Sequence, residues 1–309
     1  MGTLIGHVAP GFAFLFLGIW HLFSHTKLYL HNPTSYAAKP WFPTSKMRHI
    51  ELFLIILASS SSIAMELFIG PSRHHPFDTD GTIPSYHLQN FEHSAISMAF
   101  LTYAAFSIVF DKVKPTAEYG MTQLLGGMAL AQQLFLFHLH SADHMGVEGQ
   151  YHLLLQIVIV VSLSTTLIGI PYRRSFLISF VRSASILFQG LWFIVMGFGL
   201  WTPSLVPKGC FMNSEVGHKV VRCSDEKALH RARSLVNIQF SWYLTFVTIG
   251  VILFYLAMEK AYGEKIQYTY VLGEDEEFPE LEPERKTGEV GKSFVQMEAR
   301  GSVQVNIER

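Results

Sequence analysis

Apolar residues run through this chain in long, nearly unbroken blocks, and polar residues gather in the short stretches between them. A helix rises 1.5 Å per residue and the hydrocarbon core of a bilayer is ~30 Å thick, so about 20 mostly apolar residues are needed to cross it. Seven stretches meet that demand: Leu4 to Phe23, His49 to Ile69, Phe91 to Phe110, Tyr119 to Leu139, Tyr151 to Ile170, Val181 to Trp201 and Leu235 to Ala257. The fourth is the most interrupted, by Gly126, Gly127, Gln132 and Gln133, although small residues suit close helix packing in lipid. The pattern predicts an all-α fold, an integral membrane bundle of seven transmembrane helices over residues 1–262. No positively charged region precedes the first stretch and no small-residue cleavage site follows it, so a true span is expected there, not a signal peptide.

Past this region the pattern breaks. Residues 263–309 carry Glu274, Asp275, Glu276, Glu277, Glu280, Glu282 and Glu284 interspersed with Pro279 and Pro283. Such a segment buries too little apolar surface to fold alone, which predicts an acidic, disordered cytoplasmic tail available to a cytosolic partner.

Basic residues give a direction. Lys27, Lys39, Lys46 and Arg48, then Lys112 and Lys114, then Arg173, Arg174 and Arg182 all fall on one side of the expected bundle. The other side has Arg73 and a longer sixth connection with Lys208, Lys219, Arg222, Lys227, Arg231 and Arg233. The positive-inside rule then places the N-terminus outside or in a lumen and the C-terminus in the cytoplasm. Cys210 and Cys223 lie in that sixth connection, in no CxxC or zinc-finger spacing. On the non-cytoplasmic side a disulfide between them would persist, while two free thiols remain the alternative.

Composition adds to this picture. Half of the 309 residues are hydrophobic, 15% are charged and mean hydropathy is +0.28, all of which point to lipid as the principal partner. With 23 basic against 24 acidic residues there is no field to attract nucleic acid. The 15 histidines matter more, since few other groups titrate or bind metal near neutral pH.

Many of them share a depth. His7 begins the first stretch, Glu66 lies in the last turns of the second, Glu92 and His93 begin the third, His138 and His140 close the fourth, Asp143 and His144 follow, and His152 opens the fifth. Up-and-down threading brings all of these to the non-cytoplasmic side. Ionisable groups in a span are costly and are expected to face the bundle interior. Three or four such ligands meet the needs of zinc or non-haem iron. His138 and His140 stand about 200° apart on an ideal helix, and His140 and His144 share a face only if the helix continues, so both geometries remain open. On the opposite side His21, His25, His49 and Glu51 are expected to snorkel to the interface, and Gln189, Gly190 and Trp192 to pack between helices.

Gly6-His7 followed by Pro10-Gly11, the Glu66 span, His93-Ser94, His138-x-His140, His152 before a leucine run, and Gln189-Gly190-x-Trp192 together make the sequence similar to the transmembrane protein 45 family. That family is also known as transmembrane epididymal protein, a domain of unknown function. The resemblance covers about residues 1 to 260 and implies seven spans in a membrane, with the family's activity unsettled. Residues 141–150 depart most from its animal members.

The functional expectation is an intramembrane metal centre near the non-cytoplasmic face, with His7, Glu66, His93, His138, His140 and His152 as ligands to zinc or non-haem iron. Metal-activated water would hydrolyse a lipid-like substrate there, with Glu66 as ligand or general base. A proton- or cation-coupled transporter or channel using the same residues is the alternative, and a non-catalytic receptor or scaffold a further one. Whether the protein is an enzyme stays open. No nucleophile elbow, Walker loop or dinucleotide fingerprint is present.

Overall fold

The structure, a computed structural model, describes residues 3–70, 75–139, 146–215 and 218–263. His140, Asp143, His144 and the expected tail from 264 onward lie outside the described residues.

Seven α-helices are present among the described residues: α1 (Leu4–His31), α2 (Ile50–Ala64), α3 (Leu88–Val113), α4 (Glu118–Leu139), α5 (Val147–Ile168), α6 (Phe176–Trp201) and α7 (Glu226–Tyr262). Six helical segments, all but α4, are long and apolar enough to cross a bilayer. The 22-residue α4 has length enough, but its glycines and glutamines lower its hydropathy, and it packs between α3 and α5. This is an all-α membrane bundle, as the sequence predicts.

Most helices outrun their apolar stretches. α1 continues to His31 and α7 starts at Glu226, because backbone hydrogen bonding does not stop where the hydrocarbon ends. Side chains fix several of the starts: Thr3 accepts from the Gly6 N–H at 3.1 Å and Asp225 from the Ala228 N–H at 2.8 Å. α3 stops at Lys114, whose φ of 55° is left-handed, directly before Pro115. α2 ends in a π-helical turn, Met65–Ile69. A feature the apolar pattern did not announce is an antiparallel hairpin between α6 and α7. It pairs β1 (Cys210–Glu215) with β2 (His218–Cys223), placing Cys210 opposite Cys223, and the two are joined by a disulfide.

The helices make a ring in which α2, α3, α4, α5, α6 and α1 follow one another, with α1 and α2 meeting only sparsely and α7 packed along α5, α1 and α6. The α1–α6 contact is the closest, and glycine makes it possible. A Cβ at Gly190 would sit 2.6 Å from the Gly11 carbonyl oxygen, and one at Gly18 would press on the backbone of Leu187, 2.5 Å from its Cα. Backbone-to-backbone approach of this kind is how helices associate without a hydrophobic driving force. It fixes the rotation of α1 and α6, and with it the direction of every polar side chain on their shared face.

Candidate functional site

The two ends of the ring are conveniently called after His7 and His25. At the His7 end the expected ligands separate. The rings of His7 and His152 stack with centroids 5.9 Å apart, with Trp201 4.4 Å from His7 and Phe137 5.3 Å from His152. Glu66 is buried in the π-helical turn, accepts from Asn90 Nδ2 at 2.7 Å, and lies 3.8 Å from His93 Nδ1. His138 is exposed and its Nδ1 faces Gln156 Oε1 at 3.2 Å. Among the described residues no group of three His, Cys, Asp or Glu side chains is placed to hold a metal ion. The shared depth that threading guarantees leaves the direction around each helix axis open. His7 and His152 reach into the α1–α5–α6 side of the bundle and Glu66 and His93 into the α2–α3 side.

The His25 end is different. The expectation that His21, His25 and Glu51 snorkel to the interface is corrected: all three are at most 5% exposed. Glu51 on α2 accepts from His21 Nε2 at 2.7 Å, Trp20 Nε1 at 3.0 Å and the Phe42 N–H at 2.9 Å. One turn along α1, the His25 ring stands 5.8 Å from that of His21. Its Nε2 lies 3.1 Å from Arg182 Nη2 and its Nδ1 2.8 Å from the Tyr36 hydroxyl. A guanidinium has no lone pair to offer, so Nε2 of His25 must be the acceptor. The imidazole is therefore neutral with its proton on Nδ1, which donates to Tyr36. Arg182 donates its other arm to Gln123 Oε1 on α4 at 2.8 Å.

Two buried hydrogen-bonded groups, Glu51 with His21 and His25 with Arg182 and Gln123, thus span α2, α1, α6 and α4, and the edge contact of the two imidazoles brings them together. The connection 32–49 seals it from the adjacent water, burying Tyr36, Ala38, Trp41 and Phe42. Ala38 N donates to Arg173 O at 2.8 Å, Arg173 Nε donates back to Ala38 O at 3.0 Å, and Tyr103 Oη donates to Pro40 O at 3.1 Å. Burial pushes the Tyr36 phenol up to about 12, against the opposing pull of a Ser179 hydrogen bond and the Arg182 charge. A second group flanks the seal: Asp111 on α3 accepts from Arg48, His49 and Lys114 at 2.6 to 2.8 Å, and its hydrogen bonds raise both Arg48 and Lys114 above their ordinary values.

Polar contacts continue along the bundle axis, with Ser162 Oγ to Ser185 Oγ at 2.8 Å and Gln189 Nε2 to Gln133 Oε1 at 3.0 Å. They stop at an aromatic layer of Phe14, Phe137 and Phe193, whose centroids are 5.9 to 6.0 Å apart and beyond which lie His7 and His152. A polar column closed by rings at one end and by a connection at the other is an arrangement suited to moving protons or small polar species.

Sequence reading passed over Arg182, Gln123 and Tyr36. Arg182 counted only as a basic residue near a helix start, yet it lies seven residues before Gln189 on one face of α6, a spacing that marks an inward-facing polar stripe.

Residues 119–256 of the chain match the sequence model of a family of unknown function (DUF716). The matched span takes in Gln123, Gln133, Arg182 and Gln189 and leaves α1 to α3, with His21, His25 and Glu51, outside it.

Proposed function

We propose that this chain is a proton-coupled transporter of the transmembrane protein 45 kind, with the His25 end in the cytoplasm and the buried cluster there as its proton-handling site. The observation that carries the reading is the His21–Glu51 pair, buried on both sides at 2.7 Å, one turn from a second imidazole held by a guanidinium. A proton shared between His21 Nε2 and Glu51 Oε1 changes no net charge, so the pair holds and passes one without exposing an uncompensated ion to lipid. His25 works as the switch. A proton added to its Nε2 removes the lone pair that accepts from Arg182 and sets two cations side by side, which breaks the α1–α6 contact at this end. Protonation is thereby tied to helix position.

The basic connections at the His25 end, with Lys27, Lys39, Lys46, Arg48, Lys112, Lys114, Arg173 and Arg174, support the cytoplasmic assignment. The Cys210–Cys223 bond at the other end supports it too, since disulfides persist in oxidising compartments. Seven spans, with α4 among them, fit the alternation of these ends. Among the described residues no three His, Cys, Asp or Glu side chains are placed to hold a metal, where zinc takes three or four, so the metal-centre reading supplies no step here.

Proteoliposomes loaded with a pH-sensitive dye test the proposal under an inward substrate gradient, with a mixture of monocarboxylates, amino acids and inorganic phosphate outside. The full chain is expected to carry protons faster than empty vesicles, and Glu51→Gln to lower the rate at least about tenfold. Proton flux equal to that of empty vesicles at every pH from acid to alkaline would overturn it.

A further inference from the structure

We propose that the Arg182–Gln123 side of the buried cluster is a binding site for a small monocarboxylate anion, the species whose movement the proton accompanies; this rests on the transport reading above. Arg182 is 5% exposed, and a buried cation ordinarily meets an anion. Its two hydrogen bonds go instead to neutral acceptors, Gln123 Oε1 and His25 Nε2, and no ion pair among the described residues includes it. Glu51 is the acid of the cluster, but both its oxygens are engaged by Trp20, His21 and the Phe42 N–H.

Gln123 supplies the second, independent observation. It is 4% exposed, and because Arg182 offers only donors, the amide must turn Oε1 toward it. That leaves Nε2 as a donor beside the guanidinium, with the Tyr119 phenol, itself donating to Gly169 O at 3.0 Å, as its neighbour. Two helices therefore bring only neutral partners to a buried guanidinium, and what such a place lacks is an acceptor carrying negative charge.

Charge selects the ligand. One fixed positive charge balances one carboxylate, whose two oxygens match the guanidinium fork, and hydrogen bonds between ions are roughly twice as strong as neutral ones. A carboxylate thus outcompetes the Gln123 carbonyl and the His25 nitrogen for Arg182. Phosphate, carrying more than one negative charge at neutral pH, would leave a surplus facing Glu51.

The displacement also accounts for the proton. Once Arg182 turns to the anion, the lone pair on His25 Nε2 is released and takes up a hydronium proton that enters with the anion, leaving neutral water behind, so anion and proton enter together with no change in net charge. The groups that face His25 and set this balance are Arg182 from α6, Tyr36 from the connection 32–49 and His21 from its own helix. Glu51 from α2, Tyr103 from α3 and Tyr119 from α4 surround these in turn.

The test is thermal unfolding of the purified full chain in detergent, titrated with sodium pyruvate, inorganic phosphate and chloride. Pyruvate is expected to raise the midpoint saturably, with an apparent Kd at least about tenfold below those of phosphate and chloride. Gln123→Glu places a carboxylate against Arg182 from within; it is expected to unfold no earlier than wild type and to weaken the pyruvate response at least about tenfold. Gln123→Met, which keeps the shape and removes the amide donor, is expected to weaken it several-fold and decides the matter if the first variant does not fold. A pyruvate effect no stronger than that of chloride overturns the site, as does an undiminished response in the variants. Proton flux without pyruvate binding removes only the anion assignment, and pyruvate binding without proton flux removes only the transport reading.

Discussion

The two ends of the bundle hold similar inventories of histidine and glutamate, and they use them in opposite ways. At the His7 end, His7 stacks on His152 and Trp201, His152 also meets Phe137, and Glu66 accepts from Asn90 beside His93. At the His25 end, Glu51 gathers His21 and the Phe42 N–H while His25, one turn along, is held between Tyr36 and the Arg182–Gln123 pair. Depth and number of ionisable groups are thus poor guides to a site. What decides is whether neighbouring helices bring groups of complementary donor and acceptor character to the same azimuth.

The comparison is most directly broken by removing each end's carboxylate. Glu51→Ala leaves the indole of Trp20, the imidazole of His21 and the Phe42 N–H without their acceptor in a water-poor interior, and is expected to cost about 3–5 kcal/mol. Glu66→Ala removes the acceptor of Asn90 Nδ2 and the carboxylate beside His93 near the bundle rim and is expected to cost about 1–3 kcal/mol. Denaturant titration in detergent measures both. Equal losses would mean that the cluster at the His25 end is no more coupled than the pairs at the other.

The next largest contrast is between glycines. A methyl at Gly18 meets the backbone of Leu187, which cannot yield, whereas one at Gly197, toward the His7 end, meets Val8 Cγ2 at 2.9 Å and His7 Cβ at 3.2 Å, side-chain atoms with some room to shift. Gly18→Ala is expected to cost about 3 kcal/mol and Gly197→Ala about 1 kcal/mol by the overpacking range for cores. Because Gly18 holds α1 and α6 together, its variant should also separate His25 from Arg182 and slow proton flux; Gly197→Ala should leave the flux near that of wild type.

That seam shows what the chain made legible. Gly11, Gly18 and His25 fall seven residues apart, as do Arg182 and Gln189, so the glycine face of α1 and the polar face of α6 were readable as facing stripes once the helices were known to touch. The spans themselves were legible because hydrocarbon imposes a length and a composition. The touching was not, since any two of seven apolar helices pack equally well by pattern alone. The hairpin at Cys210 and Cys223 was equally hidden: short strands in a polar connection carry little period-two signal. Pairing α1 with α6 turns His25 from an interfacial residue into the partner of a buried arginine, and no one-dimensional argument reaches that step.

The smallest expected effect concerns the seal that the connection 32–49 forms over the His25 end. Tyr36 in the folded chain titrates near 12, above the ordinary phenol value of about 10, chiefly because burial penalises the phenolate. A folded value above the unfolded one contributes stability that is fully present below pH ~10 and is lost as pH rises toward ~12. Two pH units correspond to about 2.7 kcal/mol at 1.36 kcal/mol per unit. Tyr36→Phe removes this contribution and the hydrogen bond from His25. The variant's stability should therefore fall less steeply than that of wild type between pH 10 and 12, and the difference absorbance at 295 nm should lose one late-titrating phenol. Parallel stability curves across that range would show that the seal opens to water before Tyr36 ionises, and that the connection 32–49 does not isolate the buried groups beneath it.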